Sequence, residues 1–254
     1  CPAITQPQGI TKRFLDDSRA DACSIAGGVV GIRDSLNDTI FCSGVMISSN
    51  TLLVPQDCSD YFKQVLQVPD LTHLVNVGGQ RDIVITKENF NSVSRGDGMA
   101  SIQLPESVQL TSCPEYACLY DSATMRGRVN FGDCFSLSYG NQDSEDRTYS
   151  GQVDKMKISD MITYPCCDVL MDAVKSQPNG TYPDTVVNQD STTICMGSTD
   201  STCAGDFGSP VYCQTFDTNE VVLVAVITSA PCEAGVPILA NDLTNGDVTA
   251  YFTG

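Results

Sequence analysis

A chain of 254 residues with a formal net charge of −17 is poorly suited to partners that carry dense negative charge. Proteins that bind nucleic-acid backbones or anionic membranes need a basic surface, so both partner classes are excluded, while basic partners are permitted. No apolar run reaches the roughly 18 residues of a membrane-spanning helix, and we expect no membrane insertion.

Taken in chain order, the predicted elements begin with a polar, proline-bearing stretch at residues 1–22, which we interpret as an extended N-terminal arm. Short runs rich in Val, Ile and Thr, bounded by Gly, Asn, Asp or Ser, then predict β-strands. Their spacing is typical of an all-β sandwich or barrel. The predicted strands are Gly28–Ile32, Gly44–Ile47, Thr51–Val54, Asp82–Thr86, Met99–Leu104, Cys134–Leu137 and Val221–Ile227.

Two stretches have apolar residues at helical spacing. In Cys166–Lys175 these are Val169, Leu170 and Val174, and a second candidate, Leu239–Phe252, closes the chain. We therefore predict one helix inside the second half and one C-terminal helix.

The 13 cysteines are spread along the chain and lack the closely spaced pairs of a zinc site. Disulfide bonds formed in an oxidising compartment explain them better and predict secretion. Two sequons, at Asn37 and Asn179, agree with secretion and are candidate glycosylation sites. The acidic stretch of Asp143, Glu145 and Asp146 is explained by a solvated loop, with calcium binding as the alternative. We expect no metal site and no cofactor.

The most informative segment is Cys203–Cys213, which reads Cys-Ala-Gly-Asp-Phe-Gly-Ser-Pro-Val-Tyr-Cys. It resembles the Gly-Asp-Ser-Gly-Gly-Pro signature of chymotrypsin-like serine proteases. The cysteine-framed stretch Phe41–Cys58 resembles the first-barrel hairpin of that family, whose pattern begins Cys-Gly-Gly and ends in Ala-Ala-His-Cys. Weaker similarities extend the resemblance from about Cys23 to the C-terminus.

The resemblance implies an all-β fold, a chymotrypsin-like double six-stranded antiparallel β-barrel with a C-terminal helix. It implies one domain over residues 23–254, made of a first barrel at about 24–115 and a second at about 119–238.

The three positions that match the family's catalytic triad carry unsuitable side chains. Asp57 stands where the family has its histidine, Gly98 where it has the orienting aspartate, and Phe207 where it has the serine. A benzyl ring cannot attack a carbonyl group, and a carboxylate with a pKa near 4 is a poor base toward a hydroxyl. The single histidine of the chain, His73, lies away from all of these motifs.

The resemblance also places a specificity pocket. Its lining would be Ser201, Phe207, Ile227, Thr228 and Ser229, with Ser201 at the base and Phe207 as an apolar plug at the mouth. The strand at residues 227–229 lacks the glycine against which substrate backbone passes. Since no activation segment is recognisable, we expect the aspartate at position 206 to be exposed or bonded to backbone N–H groups.

Family positions imply several disulfides and leave one cysteine unpaired, because the total is odd. We expect Cys166 or Cys167 to be left over. The implied pairs are Cys42–Cys58, Cys134–Cys213, Cys203–Cys232, Cys195 with Cys167 or Cys166, Cys1–Cys118 and, with the weakest support, Cys23–Cys113.

The altered triad resembles that of invertebrate serine protease homologues, a group of immune cofactors, recognition proteins and decoys. We predict a secreted pseudoprotease of innate immunity that is not an enzyme and binds other extracellular proteins. The alternative is an abundant acidic structural or storage protein, with self-association through an unpaired cysteine left open. An enzyme of unrecognised chemistry is disfavoured because acid and base candidates do not converge in any motif.

Overall fold

The protein is described here by a computed structural model. It covers residues 28–36, 38–77, 81–95, 97–109, 116–139, 153–163, 166–175, 192–198, 202–203, 205–218, 220–229 and 236–245. The N-terminal arm, both sequons and the acidic stretch at 143–146 lie outside these residues, and so do Ser201, Cys1, Cys23, Cys113 and Cys232.

The first half of the chain forms a curled antiparallel sheet of seven strands, ordered β5-β4-β1-β2-β3-β7-β6. Apolar side chains buried on these strands drive the curling, because they enclose a common core. The strands are β1 Val29–Asp34, β2 Ile40–Met46, β3 Thr51–Pro55, β4 His73–Val77, β5 Arg81–Ile85, β6 Asn91–Ser94 and β7 Met99–Gln103.

The second half repeats the arrangement with seven strands ordered β10-β11-β14-β13-β12-β8-β9. The predicted two-barrel, all-β architecture is therefore confirmed, and the described residues form seven strand segments in each half-barrel. The strands are β8 Val129–Ser138, β9 Asp154–Ile158, β10 Asp160–Thr163, β11 Thr193–Gly197, β12 Pro210–Thr215, β13 Val221–Ile227 and β14 Ile238–Asp242.

Three helices are described: α1 Gln56–Val65, α2 Ser122–Met125 and α3 Cys166–Lys175. Helix α3 matches the sequence prediction, whereas α1 was not predicted. It buries Cys58, Ser59 and Phe62 on one face. The β-rich sequence around this short helix hides its helical spacing.

The prediction of a helix from Leu239 is wrong at its start, because β14 occupies Ile238–Asp242. All five residues of β14 are buried, so the stretch lacks the alternation that marks a half-exposed strand. This strand also carries the second sheet beyond the expected boundary at residue 238. Residues 246–254 lie outside the described chain.

A shared apolar layer joins the two sheets. Val45 and Leu53 of the first sheet pack in one cluster with Phe135, Tyr212 and Val226 of the second. Each sheet also encloses a core of its own. The turn that contains Phe207 lies where the two half-barrels meet.

Candidate functional site

The turn that contains Phe207 is held against the first half-barrel by its backbone. Ser43, on β2, donates its backbone N–H to the Phe207 carbonyl at 2.7 Å and its hydroxyl to the Gly205 carbonyl at 2.7 Å. Gly205 and Gly208 have φ of +98° and +91°, a region that other residues rarely adopt. The turn is therefore built on two left-handed glycines and anchored by one serine.

The same turn contacts the strand that leads into helix α1. A side chain at Gly208 would meet the Ser43 carbonyl and would lie 3.1 Å from Pro55 Cδ. Pro55 pairs with Met99 across β3 and β7, and the Gln56 N–H donates to the Gly98 carbonyl at 2.8 Å. The backbones at residues 55–56, 98–99 and 208 therefore lie side by side.

The Phe207 ring packs against the first sheet. It is half-buried against the core of that sheet, the cluster that contains Cys42, Cys58 and Phe62. Its predicted place at the mouth of the specificity pocket stays a prediction, because Ser201 at the base of that pocket lies outside the described residues.

The resemblance assigns the other two triad positions to Asp57 and Gly98. Asp57 is exposed in the first turn of α1 and has no hydrogen-bond or ion-pair partner within the described part of the chain. Gly98 has φ of +77°, and a Cβ there would lie 3.9 Å from the Asn241 Nδ2. The neighbouring Asp97 carboxylate accepts from the Met99 N–H at 3.2 Å, and its carbonyl accepts from the Asn241 amide.

The comparison with known families agrees with this geometry. The family described as Trypsin matches residues 28–244. The chain belongs to the trypsin family. No curated protein matches the chain.

Most trypsin-family proteins use a histidine beside the nucleophile, and here the sole histidine is sequestered. His73 is fully buried, with its ring centroid 4.4 Å from Phe62 and 5.1 Å from Phe41. Burial lowers the pKa of His73 to about 4, although the nearby Phe62 and Arg33 backbones and Asp34 offset part of this effect. Within the described residues, neither ring nitrogen of His73 has a hydrogen bond of good geometry.

The aspartate that precedes Phe207 is fully buried. Asp206 accepts a hydrogen bond from the Ser138 hydroxyl at 2.5 Å and another from the Cys203 N–H at 2.7 Å. Of the two expectations for this residue, exposure is wrong and bonding to a backbone N–H is confirmed. Because a buried carboxylate needs several donors, these bonds hold the turn from its inner side.

The two segments assigned to the specificity pocket contact each other directly. The Thr202 hydroxyl donates to the Ser229 carbonyl at 3.2 Å, and both residues are buried. The Ser229 hydroxyl accepts from the Leu239 N–H at 2.7 Å, and Thr228 donates its N–H to the Leu239 carbonyl at 2.9 Å. Ile227 bonds through its backbone to residues 208 and 209.

Three of the implied disulfides are present, namely Cys42–Cys58, Cys134–Cys213 and Cys167–Cys195. Cys166 and Cys203 are also disulfide-bonded, so the expectation that Cys166 or Cys167 is left over is wrong. Among the described cysteines the free one is Cys118. Because Cys118 is free, the expectation of a Cys1–Cys118 bond is wrong. The pairs Cys23–Cys113 and Cys203–Cys232 remain predictions, because each includes a cysteine outside the described residues.

Two further observations bound the chemistry of the described residues. No three His, Cys, Asp or Glu side chains among them lie close enough to hold a metal ion. No helix in this part of the chain has the length and apolar character needed to cross a bilayer.

Sequence reasoning missed the residues that shape this site, namely Ser43, Ser138 and Thr202. One signal was available for Ser43, which stands where the Cys-Gly-Gly pattern has its first glycine. The hydroxyl at that position donates to the Gly205 carbonyl.

Proposed function

We propose that this trypsin-family protein is a secreted, non-catalytic homologue that acts by binding other extracellular proteins. The observation that carries the proposal is Phe207, which occupies the nucleophile position and packs against the core of the first sheet. Without a nucleophile at this turn, acyl transfer by the family mechanism has no covalent step.

Two further features support the absence of a relocated mechanism. The only histidine is buried among aromatic rings with a lowered pKa, so it cannot reach a substrate. Ser209, the hydroxyl next to the turn, is also fully buried and its Oγ has no partner within the described chain. A nucleophile and a base must lie within hydrogen-bond reach of each other and of the substrate.

Secretion is supported by the disulfide bonds, which form and persist in oxidising compartments. An immune cofactor, recognition protein or decoy would all fit a double-barrel body that presents surface loops to a partner.

The proposal is tested by assaying the purified protein for turnover of peptide esters and for labelling by a fluorophosphonate probe, beside an active trypsin-family protease. We expect neither turnover nor labelling. The variant Phe207→Ser is expected to stay inactive, because Asp57 and Gly98 supply no base. Stoichiometric labelling of the unaltered protein, or measurable turnover that survives repurification, would contradict the proposal.

A further inference from the structure

A binding protein needs a surface for its partner, and the outer face of helix α1 offers an exposed aromatic pair. Tyr61 is 44% exposed and Phe41 is half-buried, and their ring centroids are 4.7 Å apart at an angle of 51°. Phe41 rests in turn on Phe62, at 5.5 Å, and on His73, at 5.1 Å. The exposed rings therefore have a rigid base, which limits the conformational entropy lost on binding.

Carboxylates lie on the same face of the helix. Asp57 lies four residues before Tyr61 and three residues before Asp60, and both spacings bring side chains together on a helix. Asp60 is engaged by Lys63 at 3.3 Å and by the Gln56 amide at 2.9 Å. Asp57 is exposed and has no partner within the described residues. The face thus combines two ring surfaces with one uncompensated negative charge.

We propose that this α1 surface, formed by Phe41, Asp57, Asp60 and Tyr61, binds a basic segment of an extracellular protein. The proposal deepens the proposed function and rests on it. A Lys or Arg head group lies over the ring faces, which attract cations, and its charge is met by Asp57. An acidic segment is repelled by a chain of net charge −17, and a purely apolar one leaves Asp57 without a counter-charge.

The second half-barrel offers a matched control. Phe131 is 43% exposed on β8, close to the exposure of Tyr61, and the exposed Asp133 lies two residues further along the same strand. Removing these two side chains deletes the same kinds of group and the same net charge as removing Tyr61 and Asp57. The comparison separates a local site from the attraction of the whole acidic molecule.

The experiment measures binding of fluorescein-labelled octa-arginine by anisotropy, with octa-citrulline as the neutral probe. We expect the double variant Tyr61→Ala/Asp57→Asn to weaken octa-arginine binding by about tenfold, since a cation–π contact and an ion pair are each worth a few-fold. The control Phe131→Ala/Asp133→Asn is expected to change it less than about twofold. Octa-citrulline should bind neither the unaltered protein nor either double variant.

Equal losses of octa-arginine binding in the two double variants would overturn the proposed α1 surface, because they would show that the net charge alone attracts the peptide. The charge reversals Asp57→Lys and Asp133→Lys repeat the comparison without removing a ring. They keep the test usable if a double variant loses its fold, and circular dichroism detects such a loss. Mass spectrometry of the recovered peptide keeps the two proposals apart. Cleaved peptide contradicts the lack of catalysis, whereas intact peptide bound equally by both variants contradicts only the α1 surface.

Discussion

The hydroxyl group of Thr202 donates a hydrogen bond to the carbonyl oxygen of Ser229 at 3.2 Å, and the two residues are 0% and 2% exposed. The resemblance assigns Ser201, the neighbour of Thr202, to the base of the specificity pocket and Ser229 to its lining, so the bond joins the base segment to the lining. A substrate side chain entering between them would have to separate two buried polar groups, which costs about 1–3 kcal/mol for each group left unsatisfied.

We therefore expect reactive-loop protease inhibitors to leave the protein unbound, whether the residue that enters the pocket is arginine, phenylalanine or leucine. Surface plasmon resonance measures this, with an active trypsin-family protease as the positive control. Saturable binding that depends on the entering residue would contradict a closed pocket. Absence of binding would favour an immune-cofactor or recognition role over that of a decoy for such inhibitors.

The buried Asp206 carboxylate distinguishes the hydrogen bonds of two serines on β8, Ser138 and Ser136. Ser138 donates to this carboxylate at 2.5 Å, whereas Ser136, equally buried, donates to the neutral carbonyl of Pro210 at 2.9 Å. Hydrogen bonds to charged groups are worth more, so Ser138→Ala should lower the free energy of unfolding by about 2 kcal/mol and Ser136→Ala by about 1 kcal/mol. Denaturant unfolding compares them. A larger loss for Ser136→Ala would show that the carboxylate gains little from its hydroxyl donor.

Gly208 is required because of its positive φ and because of its close packing, and a comparison with Gly127 measures the two effects separately. Gly127 has φ of +77° and open space around it, so Gly127→Ala carries only the backbone cost of about 1 kcal/mol. Gly208→Ala adds contact with the Ser43 carbonyl and with Pro55, and should cost about 3 kcal/mol or more. Thermal unfolding of both variants checks the difference. Equal costs would mean that the turn at Phe207 can move away from β2.

His73 predicts a pH-dependent stability. Its folded-state pKa of about 4 lies below the ordinary value of 6.5, because burial disfavours the charged ring. Between these values the unfolded chain binds the proton and the folded one does not. Stability is therefore full above about pH 6.5 and falls as the pH drops toward 4, by at most about 3 kcal/mol.

The variant His73→Gln should lose this component. Unfolding free energies measured from pH 7 to pH 4 should decline less steeply for the variant than for the unaltered protein, since the carboxylates titrate alike in both. Parallel declines would show that the imidazole is not protonated on unfolding, and NMR titration of the single histidine would measure its folded-state pKa directly.

The residue Cys118 is exposed and its thiol is free. Partial burial of the sulfur atom raises the pKa of this thiol, and the negative charge of Glu220 raises it further. Because the thiolate is the reactive form, alkylation with iodoacetamide should be slower than for an ordinary exposed cysteine and should speed up as the pH rises. Mass spectrometry of the alkylated peptide measures the rate. Complete protection that reduction removes would instead show that this thiol is held in a disulfide.

Much of the fold was predictable because its signals are local. Val221–Ile227 and Cys166–Lys175 were predicted with the bounds that the structure has, since an apolar run and a helical spacing lie within one segment. Strand β14 was misjudged because it is buried along its whole length. Helix α1 was missed because its inward residues, Cys58 and Phe62, follow a strand without a clear start signal.

The sequence by itself determined the all-β class and the absence of a serine at position 207. Its resemblance to chymotrypsin-like proteases implied the two barrels and the pairs Cys42–Cys58 and Cys134–Cys213, and it left Cys195 with either Cys166 or Cys167. Those properties depend on residue identity and on motifs within short segments. Only the tertiary structure decided that the Phe207 ring turns to the first sheet, that Asp206 is buried and that Thr202 closes on Ser229. The reason is distance along the chain. Ser43 and Gly205 are 162 residues apart, and only folding brings a hydroxyl from one half-barrel against a carbonyl of the other.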